Sequence, residues 1–358
     1  MSSAFHTLKI ADVVRETPEA ISVCFDLKEA DKTAFTFQPG QHLTLRTFIE
    51  GEDVRRNYSI CAAPSEGQLC IAIKAIPGGR FSNWANQNLK ADHSIDVMPP
   101  HGAFTLEFAS NGAAHYVFFA GGSGITPVLS LLKTALLVEG HSRVTLIYGN
   151  RDTGSMIFLE ELQRLKNRYM NRLTLLNVLS DELDDIELFN GILDRAKCDD
   201  LLDSIPELTS VRAFCICGPG PMMDAAQAAL LARNVAADRI LTERFTAGRP
   251  SASEAAVMVA QSKEAAGTQM RVTLDGRTRM VEFDAVAGNI LESARARGLP
   301  APYACKAGVC ATCRAKLVSG KVKMAARYGL SDDDVAKGYI LTCQAIPVSD
   351  AIVVNFDG

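Results

Sequence analysis

Cys305, Cys310 and Cys313 follow the spacing C-x4-C-x2-C, and a fourth cysteine, Cys343, answers them further along the chain. Thiols grouped this way can wrap the two irons of a [2Fe–2S] cluster. No other stretch constrains the fold as strongly. The small neighbours Ala304, Ala307, Gly308 and Ala311 let the loop turn its amides toward anionic sulfur. Zinc is a second reading, although its sites more often show paired C-x2-C knuckles. Four buried apolar cysteines are a third, set against a loop that is polar and rich in Gly and Ala.

At 358 residues the chain implies two or three domains. Its 47% hydrophobic and 22% charged content reads as globular and ordered. A net charge of −4 gives no electrostatic footprint for nucleic acid. Cys24, Cys61, Cys70, Cys198, Cys215 and Cys217 show no disulfide framework, and Met1 to Lys9 lacks the apolar core of a signal peptide. No apolar run reaches the roughly 18 residues of a membrane span. The expectation is a cytoplasmic protein in a reducing compartment, with neither nucleic acid nor membrane as partner.

Residues 5–107 alternate in short runs (Thr7–Val14, Ala20–Asp26, His42–Phe48, Arg56–Ala62, Leu69–Ala75) separated by Pro-Gly and Gly-Gly turns. This predicts a small antiparallel β-barrel. Within it, Arg56-Asn57-Tyr58-Ser59, then Lys74, then Gly78-Gly79-Arg80-Phe81-Ser82 read as a flavin site. Tyr58 can cover a ring face, Ser59 can hydrogen-bond the ring edge, and Arg56 can neutralise pyrophosphate. Gly78 and Gly79 admit phosphate to amides at the start of a helix over Phe81–Asn88. The same residues also read as a surface charge, a barrel aromatic and a turn.

At His115–Phe119 the pattern becomes a continuous apolar strand. It runs into Ala120-Gly121-Gly122-Ser123-Gly124-Ile125-Thr126-Pro127 and an apolar helix over Val128–Leu137. A glycine-rich turn between strand and helix seats a dinucleotide pyrophosphate on N-terminal amides. Pro127 stands where a third glycine is usual and starts the helix without losing a needed donor. Val144–Tyr148, Leu173–Leu179 and Ala213–Cys217 continue a doubly wound α/β pattern. Arg151, just beyond the second strand of this pattern, suits a ribose 2′-phosphate, which favours NADPH over NADH. Asp181 in the next loop weighs the other way. Residues 247–267 have linker composition, with Val257-Met258-Val259 as an alternative first strand. Arg271–Leu274 and Arg279–Phe283 flank Asp275-Gly276 as a hairpin.

These strings resemble the ferredoxin–NADP reductase superfamily: R-x-Y-[ST] at Arg56, Tyr58 and Ser59, and G-G-x-x-S through Gly79, Arg80, Phe81 and Ser82. The same holds for G-x-G-I-T-P at Gly122, Gly124, Thr126 and Pro127, and for C-G-P-x-x-M at Cys217, Gly218, Pro219 and Met222. The likeness implies FAD, places Cys217 beside the reacting carbon of the nicotinamide, and places Glu243 near flavin and nicotinamide. Pro99-Pro100-His101-Gly102-Ala103-Phe104 resembles the family's G-P-x-G-x-F turn, which makes His101 a turn residue. Ile290 to Cys313, with Gly338 to Cys343, resembles plant-type ferredoxins and implies a β-grasp domain of α+β class.

The resemblance implies a multidomain chain: a FAD-binding barrel over residues 1–108, an NAD(P) domain over 109–246, a linker over 247–267 and a [2Fe–2S] domain over 268–358. This order is that of reductase components of bacterial oxygenases. Pro39–Leu45, Ile147–Arg151 and Tyr303–Cys313 look most like the phenylacetate-degradation reductases, which implies a di-iron oxygenase subunit as electron acceptor. Reductases of ring-hydroxylating or other hydroxylase systems share the motifs. A redox-sensing iron–sulfur flavoprotein would be expected to have lost some of them. The acidic run Asp332-Asp333-Asp334 reads as a solvated loop or as a docking patch for a basic face. No His/Asp pair stands out as a general base, and hydride transfer needs none.

Overall fold

The computed structural model describes residues 5–245 and 252–358. Backbone contacts divide the chain into two units, Met1–Arg244 and Phe245–Gly358.

The first unit opens with β1 (His6–Thr17), β2 (Ala20–Asp26), a single-turn helix α1 (Glu29–Lys32), β3 (His42–Ile49), β4 (Glu52–Ser59) and β5 (Leu69–Lys74). Helix α2 (Arg80–Asn88) and β6 (Ser94–His101) complete the segment. The strands form one antiparallel sheet in the order β4-β3-β6-β1-β2-β5. A bridge between Ile60 and Ile71 joins its two ends and closes the barrel. Alternation places Leu8, Ile10, Leu43, Leu45 and Val97 inside, all fully buried or nearly so. Strand β6 was not expected. It carries two prolines at its end, Pro99 and Pro100, and proline weakens a strand pattern. His101 therefore closes a strand paired with His42 rather than sitting in a free turn.

One cysteine reading is corrected. Cys24 and Cys70 lie directly opposite each other on β2 and β5 and are joined as a disulfide, with Cα atoms 4.1 Å apart. Narrow antiparallel pairs bring side chains this close. The 46-residue separation in sequence gave no sign of it.

The unit continues with β7 (His115–Gly121), α3 (Ile125–Val138), β8 (Arg143–Asn150), α4 (Leu159–Arg168) and β9 (Leu173–Leu179). Then come α5 (Arg195–Asp203), β10 (Val211–Cys217), α6 (Gly220–Ala232) and β11 (Ile240–Glu243). The five strands are parallel, in the order β11-β10-β7-β8-β9. The strand order reverses between β7 and β10. Ligands of open parallel sheets bind in the crevice at such a switch point. Helix α3 is buried along nearly its whole length, so it reads as apolar on every side. It packs toward the barrel, where Ser130 Oγ donates to the Ala62 carbonyl at 2.6 Å and Lys133 pairs with Glu66 at 2.6 Å. One apolar core runs through both parts of this unit.

The second unit holds α7 (Ala252–Glu264), β12 (Gln269–Leu274), β13 (Arg277–Glu282), α8 (Ile290–Ala296) and β14 (Arg314–Ser319). It ends with β15 (Val322–Met324), α9 (Asp332–Ala336), β16 (Tyr339–Leu341), β17 (Ala345–Pro347) and β18 (Ala351–Asn355). The main sheet is mixed, in the order β13-β12-β18-β14-β16, with only β12 and β18 parallel. This is the expected α+β domain, with its own core around Ile290, Leu291, Val272 and Val354. Val257-Met258-Val259, an alternative strand by sequence, lies inside helix α7. The Gly248-Arg249-Pro250-Ser251 string lies outside the described residues.

Candidate functional site

The barrel motif residues gather at one end of β4 and the start of α2. Ser59 is 3% exposed, and Tyr58 rests on Phe81 with ring centroids 5.6 Å apart. Burial pushes the Tyr58 phenol up, so it stays neutral. Arg56 is exposed and donates to the Arg55 carbonyl. Gly79 caps α2; a Cβ there would stand 2.4 Å from Ser82 Oγ, so the chain passes tightly and leaves the first helical amides open to phosphate. Arg80 is held by Glu52 and Glu50. Phe81 and Ser82 are buried beneath the turn. The residues present suit a flavin with its phosphates at the helix start.

At the switch point, β7 ends in Gly121 and a turn over Gly122–Gly124 enters α3. Thr126 Oγ1 donates to the Ser123 carbonyl at 2.9 Å, which folds the turn back on itself ahead of Pro127. Gly218, Pro219 and Met222 face Gly121 from the other side, where β10 runs into α6. Beside them opens a cavity of about 610 Å³, walled by Lys74, Gly122, Arg151, Arg195, Pro219 and Met222 among others. That volume is in the range of nucleotide and drug-sized sites. Lys74 and Arg151 share Glu19, at 3.8 and 3.1 Å. Arg195, at the start of α5, is a basic wall residue that sequence reasoning missed, because no motif surrounds it.

Cys217 and Glu243 end adjacent parallel strands in register. Burial, then the charge of Glu243, push the Cys217 thiol well above its ordinary value, so it is a neutral apolar contact and not a nucleophile. Cys215 is core, as read from sequence. Glu243 Oε1 lies 3.5 Å from His42 Nδ1, and its other oxygen is buried with no partner. His42 in turn meets His101 and Asn57. This histidine group was invisible in the sequence, since its members come from four separate strands.

In the second unit the four thiols gather two and two. The Cys305 amide donates to Cys310 Sγ at 3.5 Å, and the amide and hydroxyl of Thr342, next to Cys343, both donate to the Cys313 carbonyl. Among the described residues no three His, Cys, Asp or Glu side chains converge on one metal ion. Pairs of thiols fit the two irons of a [2Fe–2S] centre, each taking two sulfurs, better than one tetrahedral zinc. Backbone amides already point at sulfur: Ala307 N–H donates to Cys305 Sγ at 3.3 Å. Lys306 and Ala311 adopt φ of +52° and +54°, so the loop is strained at two positions that are not glycine. The acidic run forms the start of α9, and its carboxylates sit beside Arg327, Lys337 and Arg314. That internal balance fits the solvated reading.

Residues 7–106 match the oxidoreductase FAD-binding domain, 118–228 the oxidoreductase NAD-binding domain and 272–348 the 2Fe-2S iron-sulfur cluster binding domain. A component of the 1,2-phenylacetyl-CoA epoxidase of Escherichia coli K12 is 40% identical over 355 residues, 99% of this chain and 98% of that one. The chain belongs to the ferredoxin–NADP reductase superfamily, in the branch with a C-terminal [2Fe–2S] domain. Another member, the ferredoxin reductase component of 3-ketosteroid-9-alpha-monooxygenase from Rhodococcus rhodochrous, is 34% identical over 98% of this chain and 96% of its own. Among solved structures, phthalate dioxygenase reductase superposes with a TM-score of 0.60 at 22% identity, covering 99% of this chain and 98% of that one, which shows the fold. As a reductase of this branch the chain is an oxidoreductase that uses FAD, a nicotinamide dinucleotide and a [2Fe–2S] cluster. No helix among the described residues is long and apolar enough to cross a membrane.

Proposed function

We propose that this reductase passes electrons from NADPH through FAD and the cluster to the di-iron oxygenase subunit of a phenylacetyl-CoA epoxidase. The observation that carries the reading is the full-length 40% identity to the epoxidase component, across all three domains in one order. When bound, the cofactors supply the redox chemistry: a two-electron hydride donor, a carrier that splits the pair, and a one-electron centre.

The chain's own residues bind and orient. Residues 1–108 serve the flavin, 109–246 the nucleotide and 268–358 the cluster, with 247–267 between. Arg56, Arg80 and the amides after Gly79 hold flavin phosphates, Tyr58 covers the ring, and Ser59 hydrogen-bonds its edge. Phe81 and Ser82 fix that turn from beneath. Gly122, Gly124, Thr126 and Pro127 form the pyrophosphate turn. Lys74, Arg151 and Arg195 supply positive charge along the nucleotide cavity, and Arg151 selects the 2′-phosphate. Gly218, Pro219 and Met222 shape the nicotinamide end, where neutral Cys217 keeps the ring dry and Glu243 holds negative charge. Cys305, Cys310, Cys313 and Cys343 hold the cluster.

The test is reconstitution with purified di-iron oxygenase subunits and phenylacetyl-CoA. NADPH-dependent formation of the epoxide supports the assignment. Reduction of artificial acceptors without epoxide formation, together with turnover of a 3-ketosteroid oxygenase, would move the protein to the other oxygenase class.

A further inference from the structure

The nucleotide cavity has an anionic neighbour that comes from the barrel. Strands β1 and β2 are joined by a two-residue turn, Pro18-Glu19, between the paired residues Thr17 and Ala20. The turn is held twice. The Glu19 N–H donates to Thr17 Oγ1 at 3.3 Å, and the Ala75 N–H donates to the Glu19 carbonyl at 2.7 Å. Register sets Ala20 opposite Lys74, so the turn stands beside the end of β5. From there the Glu19 carboxylate lies 3.8 Å from Lys74 Nζ and accepts from Arg151 Nη2 at 3.1 Å. Both cations line the cavity. Lys74 Nζ is also 3.8 Å from where a Cβ on Gly122 would stand, at the pyrophosphate turn. The Arg151 carbonyl accepts from the Asp181 N–H at 2.7 Å, so its backbone is fixed as well. The other charged wall residues are engaged within α5. Arg195 donates to Asp199 at 2.7 Å, and Asp194 accepts from the Lys197 N–H at 2.9 Å. Among the described residues, Lys74 and Arg151 pair with no carboxylate but that of Glu19.

We propose that Glu19 is a specificity-determining residue, a built-in anion that competes with the ribose 2′-phosphate for Arg151 and so lowers the preference for NADPH over NADH. The proposal rests on the reductase reading and on the role given there to Arg151. A carboxylate and a phosphate offer the same kind of oxygen acceptor to a guanidinium. Glu19 and Arg151 are both about half-exposed, so their pair is weak and can be displaced. NADPH must exchange the Glu19 contact for its own. NADH, with a hydroxyl in place of the phosphate, leaves that contact standing. At Lys74 both nucleotides present the same pyrophosphate, so any exchange there is common to the two and cancels from their ratio.

Release follows the same logic. The displaced carboxylate stays on its fixed turn, close to the bound phosphate, and the like charges repel. Glu19 therefore speeds the departure of NADP+ as well as weakening its binding. No covalent bond changes in this exchange. Its loss costs little stability, because an exposed ion pair contributes little.

The experiment uses the full-length holoprotein, its Glu19→Gln, Glu19→Asp and Arg151→Ala variants, and the Glu19→Gln/Arg151→Ala double variant. Titration calorimetry with NADP+ and NAD+ gives affinities without turnover, and stopped-flow displacement gives the release rate of NADP+. Measurements are made at about 0.01 M and about 1 M salt, where the screening length is roughly 30 and 3 Å. At low salt Glu19→Gln should raise the NADP+ to NAD+ affinity ratio about threefold, the scale of one exposed ion pair, and slow NADP+ release by a similar factor. The change should vanish at high salt. Glu19→Asp keeps the charge but withdraws it from Arg151, and should shift the ratio in the same direction. In the Arg151→Ala background, Glu19→Gln should leave the ratio where it was. A purely structural role for the turn would lower the unfolding temperature and not touch the ratio. An unchanged ratio in Glu19→Gln overturns the proposal. So does an equal change with and without Arg151, or a Glu19→Asp variant that behaves as wild type, since either points to a long-range field in place of a contact. An Arg151→Ala variant that keeps the wild-type ratio refutes the role of Arg151 and this proposal with it. Failure of the wild-type protein to bind either nucleotide would instead refute the reductase reading itself.

Discussion

Gly124 and Cys217 touch across the switch point: a Cβ on Gly124 would lie 2.0 Å from the Cys217 carbonyl oxygen and 2.8 Å from the Gly218 amide. The nucleotide turn after β7 is thus locked against the end of β10, which carries the second nucleotide motif. Gly124→Ala forces backbone against backbone, which side-chain repacking does not relieve. It should destabilise the protein by about 2 kcal/mol or more and weaken NADPH binding. Thermal unfolding and titration calorimetry check both. A stable variant with unaltered affinity would show that the two motifs are not coupled.

Arg151 is exposed and paired with Glu19, so its charge is partly neutralised before nucleotide binds. Arg151→Ala should weaken NADPH by roughly tenfold, the scale of one lost charge-assisted hydrogen bond, and leave NADH unchanged. Glu19→Gln should tighten NADPH at low salt. Equal losses for both nucleotides in Arg151→Ala would remove Arg151 from the selection of the 2′-phosphate.

Chelation of iron, or Cys310→Ser, should abolish the charge-transfer bands of the cluster and bring electron delivery to the oxygenase to background. NADPH should still bleach the flavin, because the flavin and nucleotide parts share a core of their own in the first unit. Absorbance spectra with and without acceptor test this. Loss of flavin reduction in the same variant would show that the first unit depends on the second.

The low value of His101 gives a pH dependence of stability. In the unfolded chain a histidine titrates near 6.5, and in the fold burial holds it to about 3. Between these values the unfolded state binds the extra proton. Stability is therefore full above about 6.5, falls as pH drops through that window, and levels off near the folded value. Removing His101 should reduce the wild-type slope by on the order of 1 kcal/mol per pH unit. Urea midpoints of wild type and His101→Asn at pH 7.5 and 5 measure the difference. Identical slopes would mean that His101 is not held neutral.

Much of the architecture was legible because it is local. The strands Ala20–Asp26 and Leu173–Leu179 have the residue bounds read from their alternation and apolar runs, and the cluster loop announces itself by thiol spacing. Four features escaped, each for a physical reason. Strand β6 ends in two prolines and looks like a turn until its pairing with β3 supplies the register. Helix α7 occupies an Ala-rich stretch whose composition suits a linker as well as a helix, and alanine is the best helix former. The Cys24–Cys70 bridge and the His42–His101–Glu243 chain join residues far apart in sequence, and only the closed barrel and the parallel register of β10 and β11 bring them together.

The central claim is an electron path from nucleotide to flavin to cluster. Anaerobic stopped-flow mixing with NADPH, followed at flavin and iron–sulfur wavelengths, tests it most directly. The account predicts rapid flavin bleaching, then bleaching of the cluster, with NADPH faster than NADH. A flavin that is reduced while the cluster stays oxidised would contradict it.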